Sequence, residues 1–205
     1  MHSVAKLAAG LNWHRFKPAA LPSFYLMTDD TRLKNPLVDI LALLKRLPHG
    51  GVLVLRHRDL AQLTTLAQVL VPIAHRLKLK VLLAGDVRLA LRLKCDGVHL
   101  SQSRVRRGRL RIRALPPGFM VTAAAHDGFS IQRAFQSGAD GVMLSPVFPT
   151  ASHPRAKALG LLRFMSLANG SPRPIIALGG VTAETVKRLA LGQTSGVAAI
   201  GAWQE

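Results

Sequence analysis

Short apolar runs recur along the chain, and stretches of helical character separate them. The runs are Phe24–Thr28, Gly51–Leu55, Val81–Ala84, Gly97–Leu100, Met120–Ala123, Gly141–Leu144, Ile175–Leu178 and Val197–Ile200. Apolar residues sit at successive rather than alternate positions, the pattern of parallel strands covered by helices. Between the runs, PLVDILALLKRL and DLAQLTTLAQVLVPIAHRL carry apolar residues at helical spacing, the second with Asp59 as its cap. HDGFSIQRAFQSG and TAETVKRLALG each end at a glycine, a common helix stop. Eight strands alternating with helices in 205 residues predict the α/β class and a single compact (β/α)8 TIM barrel. An internal echo supports repetition: CDGVHLSQ at 95–102 returns as ADGVMLSP at 139–146 and, more loosely, as TSGVAAIG at 194–201. The barrel is expected over 23–205, with a truncated or missing last helix. Residues 1–22 are expected to form a helical extension packed on it.

A hydrophobic content of 49% supports a sizeable core and argues against disorder. The single cysteine, Cys95, cannot form an internal disulfide, which suits a reducing, cytoplasmic setting. No apolar run is long enough for a membrane span, and the N-terminus lacks a secretory apolar core. The formal net charge of +18 favours anionic partners: nucleic acid, acidic lipid or a phosphorylated small molecule. The densest basic stretch, RVRRGRLRIR at 104–113, reads first as a solvated helix face. It has no interleaved aromatics, and no zinc-finger or RRM signature is present, which argues against nucleic acid as the main partner. A homo-oligomer stays open.

In this architecture ligands bind at the C-terminal ends of the strands. The residues that follow each run are therefore the candidates. IIALGGVTAETV places Gly179 and Gly180 between a strand and a helix, where backbone N–H groups can approach an oxyanion. A tight turn that merely needs glycine is the plainer alternative. Gly201 stands at the equivalent end of the eighth run. Arg56 and Arg58 flank His57 and lie on one side if the strand continues, as suits a phosphate; a salt bridge to Asp59 or Asp86 competes. Asp86 can cap the helix beginning at Val87. His99 lies within the fourth run, and Gln102 and Arg104 follow it. His126, among alanines at a strand end, can serve as general acid or base, or can instead bond to backbone at a helix start. The loop after the sixth run is stiffened by Pro146, Pro149 and Pro154 and presents Thr150, Ser152 and His153. His2, His14, His49 and His75 read as surface or packing residues. No Ser/His/Asp array, carboxylate pair or HxxxH spacing is present.

The ordered set LRHRD, DGVHLSQ, AAH, SPVFPTASHP and ALGGVTAE resembles the thiamine phosphate synthase/TenI family of (β/α)8 barrels, over residues 24–203. The resemblance implies one of two activities. A synthase joins a pyrimidine pyrophosphate to a thiazole phosphate with Mg²⁺; a TenI-type tautomerase aromatizes the thiazole phosphate by acid/base chemistry at a histidine. By this resemblance Arg56 matches the arginine after strand two, and Arg58 replaces a lysine. Asp86 matches one metal-binding aspartate, and His126 the tautomerase histidine. Thr150, Ser152 and His153 fall on the family's Thr-x-Thr-Lys loop. Gly179, Gly180 and Gly201 match the thiazole-phosphate site.

The departures are specific. Val54 replaces the synthase glutamine, Gly85 an asparagine and Arg104 the second metal aspartate. Ala124 replaces the serine before the histidine, and His153 the loop lysine. They cluster on the pyrophosphate and metal side. The expectation is therefore a thiazole phosphate or related phosphate ester as ligand, with His126 as the acting residue. No cofactor is expected, and Mg²⁺ only in a synthase, with Asp86 its one candidate ligand. A Mg²⁺-dependent synthase and a non-catalytic ligand-sensing or nucleic-acid-associated barrel are the alternatives.

Overall fold

A computed structural model describes residues 21–108, 115–150, 156–189 and 194–200. Eight strands close on themselves in sequence order: β1 (Phe24–Met27), β2 (Val52–Leu55), β3 (Lys80–Ala84), β4 (Gly97–Leu100), β5 (Met120–Ala125), β6 (Gly141–Leu144), β7 (Ile175–Leu178) and β8 (Gly196–Ala199). Every pairing is parallel, and β1 closes the ring against β8 with Tyr25 opposite Ala198. The (β/α)8 expectation holds. The strand limits move by one or two residues. Ala124 and Ala125 extend β5 because they pair with Met143 and Leu144, and β8 begins at Gly196, opposite Ile176.

Helices α1 (Pro36–Leu44), α2 (Leu60–Arg76), α3 (Val87–Arg92), α4 (Gln102–Arg106), α5 (Gly128–Gln136), α6 (Leu161–Asn169) and α7 (Val186–Leu189) each follow the strand of the same number. Asp59 caps α2, accepting from the N–H groups of Ala61 at 2.7 Å and Gln62 at 3.1 Å. Asp127 caps α5 in a reciprocal box with Ser130. The expected N-terminal extension falls almost wholly on residues 1–20. That segment and the close of the barrel after Ile200 lie outside the described residues.

Side chains of alternate strand positions fill the barrel: Tyr25, Met27, Val54, Leu82, Met143 and Ile176 among them. The intervening positions pack outward under the helices in two larger clusters. The sequence echo has a structural cause at the barrel's N-terminal end. Asp96 and Asp140 each precede a strand's first glycine. Their Oδ2 atoms accept from Val81 N–H and Val121 N–H, both at 2.7 Å. Their own N–H groups donate to the carbonyls of the same two residues. Ser195 repeats the backbone half of this staple, its N–H donating to Ile175 O at 2.8 Å. A Cβ on the following glycine would strike Met120 O at Gly97, Leu21 at Gly141 and Ser23 O at Gly196. The small residue is therefore required by neighbouring backbone and packing.

Candidate functional site

At the C-terminal ends of the strands lies a cleft of about 840 Å³, a size suited to a small ligand. Each of the eight strands contributes either its C-terminal residues or the residues just beyond them, from Met27 at the end of β1 to Ile200 beyond β8. Its charged and titratable groups among the described residues are Arg56, Lys157, His99 and His126. Among the described residues no carboxylate lines it.

Arg56 is held by its backbone. The buried Thr28 hydroxyl accepts from Arg56 N–H and donates to Arg56 O, both at 2.8 Å. This places the guanidinium at the rim just where β2 ends. Burial opposes ionisation of nearby Asp29. Hydrogen bonds from the Thr31 hydroxyl and N–H, with the Arg56 and Arg32 charges, outweigh it and hold the carboxyl below its usual range. Arg58 does not reach the cleft. The strand ends at Leu55, so alternation no longer applies, and Arg58 turns to Asp30 with Nε 3.8 Å from Oδ2. The competing salt bridge exists, but to Asp30 rather than Asp59 or Asp86.

His99 stands on the cleft floor and is buried, its Nδ1 2.9 Å from the Thr122 hydroxyl. Burial, and secondarily the Arg56 charge, depress its pKa to about 4, so it is neutral at pH 7. Gln102 and its neighbour Ser101, the cap of α4, line the wall. Arg104 is half-buried on α4 and does not line the cleft. Asp86 likewise stays off the lining and caps α3, its Oδ1 accepting from Leu89 N–H at 2.9 Å. Its neighbour Gly85 takes the wall position.

His126 projects from the end of β5. Its Nδ1 lies 2.7 Å from the backbone oxygen of Ser145 at the start of the loop after β6. A carbonyl can only accept, so Nδ1 carries a proton, and in the neutral ring the lone pair lies on Nε2. The backbone N–H of His126 donates to Ser130 Oγ at 3.0 Å, which fixes the residue from the α5 side. The alternative expected for this residue, a ring bonded to backbone, is what the structure shows.

The loop after β6 is tied to the end of β7. Val147 N–H donates to Leu178 O at 2.9 Å, and Phe148 N–H to Gly179 O at 3.0 Å. Gly179 and Gly180 have φ of +92° and +65°. A Cβ on Gly179 would lie 2.8 Å from Pro146 Cα, and one on Gly180 2.5 Å from Pro149 O. The pair is thus glycine because two loops pass each other closely. Gly179 borders the cleft and Gly180 does not. The Thr182 N–H donates to Thr185 Oγ1 at 2.8 Å. Thr150 lines the cleft, while Ser152, His153 and Gly201 lie outside the described residues. Sequence reasoning missed Lys157, exposed at the rim on the same loop. Nothing in its spacing marks it, because an irregular loop has no period to read. Ser145, which orients His126, was hidden for the same reason.

The sequence profile of the thiamine monophosphate synthase family matches residues 24–203. The chain belongs to this family. It is 31% identical over 188 residues to a provisionally named "thiamine-phosphate synthase 2" of Aquifex aeolicus, covering 90% of this chain and 99% of that one. A thiamine-phosphate synthase of Anoxybacillus flavithermus is 32% identical over 173 residues, covering 80% and 79%. Among solved structures, thiamine phosphate pyrophosphorylase from Pyrococcus furiosus superposes with a TM-score of 0.70 at 19% identity, covering 89% of this chain and 87% of that one. That likeness is one of fold. Family membership places the barrel in thiamine metabolism. Among the described residues no helix is long and apolar enough to cross a membrane.

Family synthases use Mg²⁺, and the residues here do not fit a resident ion. Among the described residues no three His, Cys, Asp or Glu side chains gather in a possible metal site. The one matching carboxylate, Asp86, already caps a helix, and an arginine stands at the second position.

Proposed function

We propose that this barrel binds a thiazole phosphate, or a closely related phosphate ester, and moves a proton on its ring through His126. The observation that carries the reading is a cleft whose charged groups among the described residues are cations, beside a histidine, His126, whose Nδ1 is held by Ser145 O so that Nε2 is its other ring nitrogen. Arg56 and Lys157 supply positive charge for a phosphate dianion, and the Gly179 backbone borders the same space. Nε2 of His126 takes a proton from one ring position, and the imidazolium returns it to another. The ligand gains and loses one proton, so the step balances without oxidant or metal. His99, neutral on the floor, leaves the anionic end of the ligand to the rim cations.

A second reading has a specific observation behind it: curated relatives such as that of Anoxybacillus flavithermus are named thiamine-phosphate synthase. One experiment separates the two. Purified protein is incubated with pyrimidine pyrophosphate and thiazole phosphate, in Mg²⁺ or in EDTA, and thiamine phosphate is followed directly. The expected result is no Mg²⁺-dependent coupling. Proton exchange or tautomerisation of the thiazole ligand is expected in EDTA, falling about 10²-fold or more in His126→Asn while ligand binding persists. Robust Mg²⁺-dependent turnover would overturn the proton-transfer reading in favour of the synthase.

A further inference from the structure

The cleft leaves most of the chain's positive charge unused. Part of it gathers at the opposite, N-terminal end of the barrel. In this fold the C-terminal ends of helices and the first residues of strands share that end. There the adjoining sector of β2, β3 and β4 carries Lys45 after α1, Arg76 and Lys78 at the end of α2, Lys80 opening β3, and Arg92 and Lys94 at the end of α3. All six are exposed. The connections bearing them are bonded to one another. Gly50 N–H donates to Lys78 O, Lys80 N–H to Gly51 O, and Asp96 N–H to Val81 O. Asp96 is the one carboxylate on these connections, and its Oδ2 is engaged by Val81 N–H and by His75 Nε2 at 2.8 Å.

A second observation marks the same face. Lys78 and Lys94 are the two non-glycine residues of positive φ among the described residues, both at +57°. Each sits just past a helix C-cap, at the position where glycine is the usual solution. After α5 glycine takes it: Gly138 has φ +98°. Twice, on adjacent elements of one face, the chain accepts an unfavourable backbone conformation and places a cation there.

We infer that this face binds the phosphate backbone of nucleic acid without reading its sequence. Three neighbouring helix ends about 8–10 Å apart span roughly 20 Å, about six base-pair steps of duplex. Lysine and arginine alone, with no phenylalanine, tyrosine or tryptophan on these connections, give phosphate contacts and no stacking platform. An acidic bilayer is the poorer fit. The leucines within the patch, Leu77 and Leu91, are each 36% exposed, so no large apolar side chain stands out to enter lipid. The sequence-based expectation against nucleic acid rested on the lack of aromatics in the stretch at 104–113 and on missing zinc-finger and RRM signatures, neither of which bears on phosphate contacts from these six residues. The inference is independent of the phosphate-ester reading, because it concerns the other end of the barrel.

The test is fluorescence anisotropy of a labelled 20-base-pair duplex of arbitrary sequence, titrated with full-length protein between 50 and 200 mM salt. Six contacts give a slope of log K against log salt near −5. Lys78→Gly/Lys94→Gly removes two charges and relieves both backbones. The expected result is an unchanged or higher melting temperature together with at least tenfold weaker binding at 100 mM salt and a slope shallower by about 2. Arg163→Ala/Lys187→Ala removes the same charge from α6 and α7 and is expected to cost no more than about twofold. Equal losses in the two variants would show a mere net-charge effect and overturn the inference. So would binding to phosphatidylserine vesicles with none to the duplex, or no duplex binding at 50 mM salt.

Discussion

At the scale of single residues, the two cleft histidines are made different by their surroundings. His126 is exposed and bonded through Nδ1 to a carbonyl, so its basic nitrogen is Nε2. His99 is buried, and its pKa falls to about 4 from an ordinary 6.5. The depressed value has a consequence for stability. Above pH 6.5 both folded and unfolded states hold this ring neutral, and its contribution is complete. As pH falls from 6.5 toward 4 only the unfolded chain takes up the proton, so the fold weakens; below 4 the contribution is gone. The span corresponds to roughly 3 kcal/mol. Urea denaturation of the wild type between pH 7 and 4 should show this loss, and His99→Asn should flatten it in that window. The lowered carboxyls of Asp29, Asp59 and Asp127 start from an ordinary 3.8, so they act mainly below it. A wild-type stability unchanged from pH 6.5 to 4.5 would mean that His99 is hydrated rather than buried.

At the scale of elements, the loop after β6 and the turn after β7 form one unit. Two backbone bonds join them, and the glycine pair lets them pass. On sequence alone, Gly180→Val would be expected to weaken phosphate binding in a folded barrel. The close approach of Pro149 O and the φ of +65° reverse that expectation. Valine there meets backbone, in a conformation β-branched residues avoid. Gly180→Val should therefore lower stability by roughly 3 kcal/mol or more, read as a shifted urea midpoint. An unchanged midpoint would separate the two loops. Lys157 belongs to the same unit but points to the rim. Lys157→Ala should weaken thiazole phosphate binding by about tenfold in calorimetric titration and leave the midpoint within about 0.5 kcal/mol of wild type. Unaltered affinity would remove Lys157 from the phosphate site.

At the scale of the whole molecule, the two ends of the barrel divide the positive charge. The strand C-termini surround a cleft whose charged residues are cations. The helix C-termini of the β2–β4 sector form a separate basic surface. On the proposed reading, a cleft lined among the described residues by cations and no carboxylate would take an anion without a bridging metal. Thiazole phosphate should therefore raise the melting temperature equally in Mg²⁺ and in EDTA. At a hundredfold excess over its dissociation constant, the gain is about 2.7 kcal/mol. A shift seen only with Mg²⁺ would show that the ion and the ligand enter together.

The alternation of apolar runs with helical stretches determined the barrel, its strand order and the end at which the cleft opens. Those features follow from local periodicity and from the geometry of parallel strands, which any stretch of chain carries with it. As cleft-lining positions, Arg56, His99, Gln102, His126, Thr150 and Gly179 were legible for the same reason, since each lies near or beyond the C-terminal end of a strand. The tertiary structure decided what depends on partners distant in sequence. Arg58 faces Asp30, 28 positions earlier, and leaves the cleft. His126 acquires its tautomer from Ser145, 19 positions later. Asp86 is spent on its own helix, a choice its sequence context left open. Lys157 enters the cleft through an irregular loop, and six cations scattered from 45 to 94 become one face only when three helix ends are brought side by side. Periodicity reports which way a residue points within its element; which other element it meets is set by closure of the barrel.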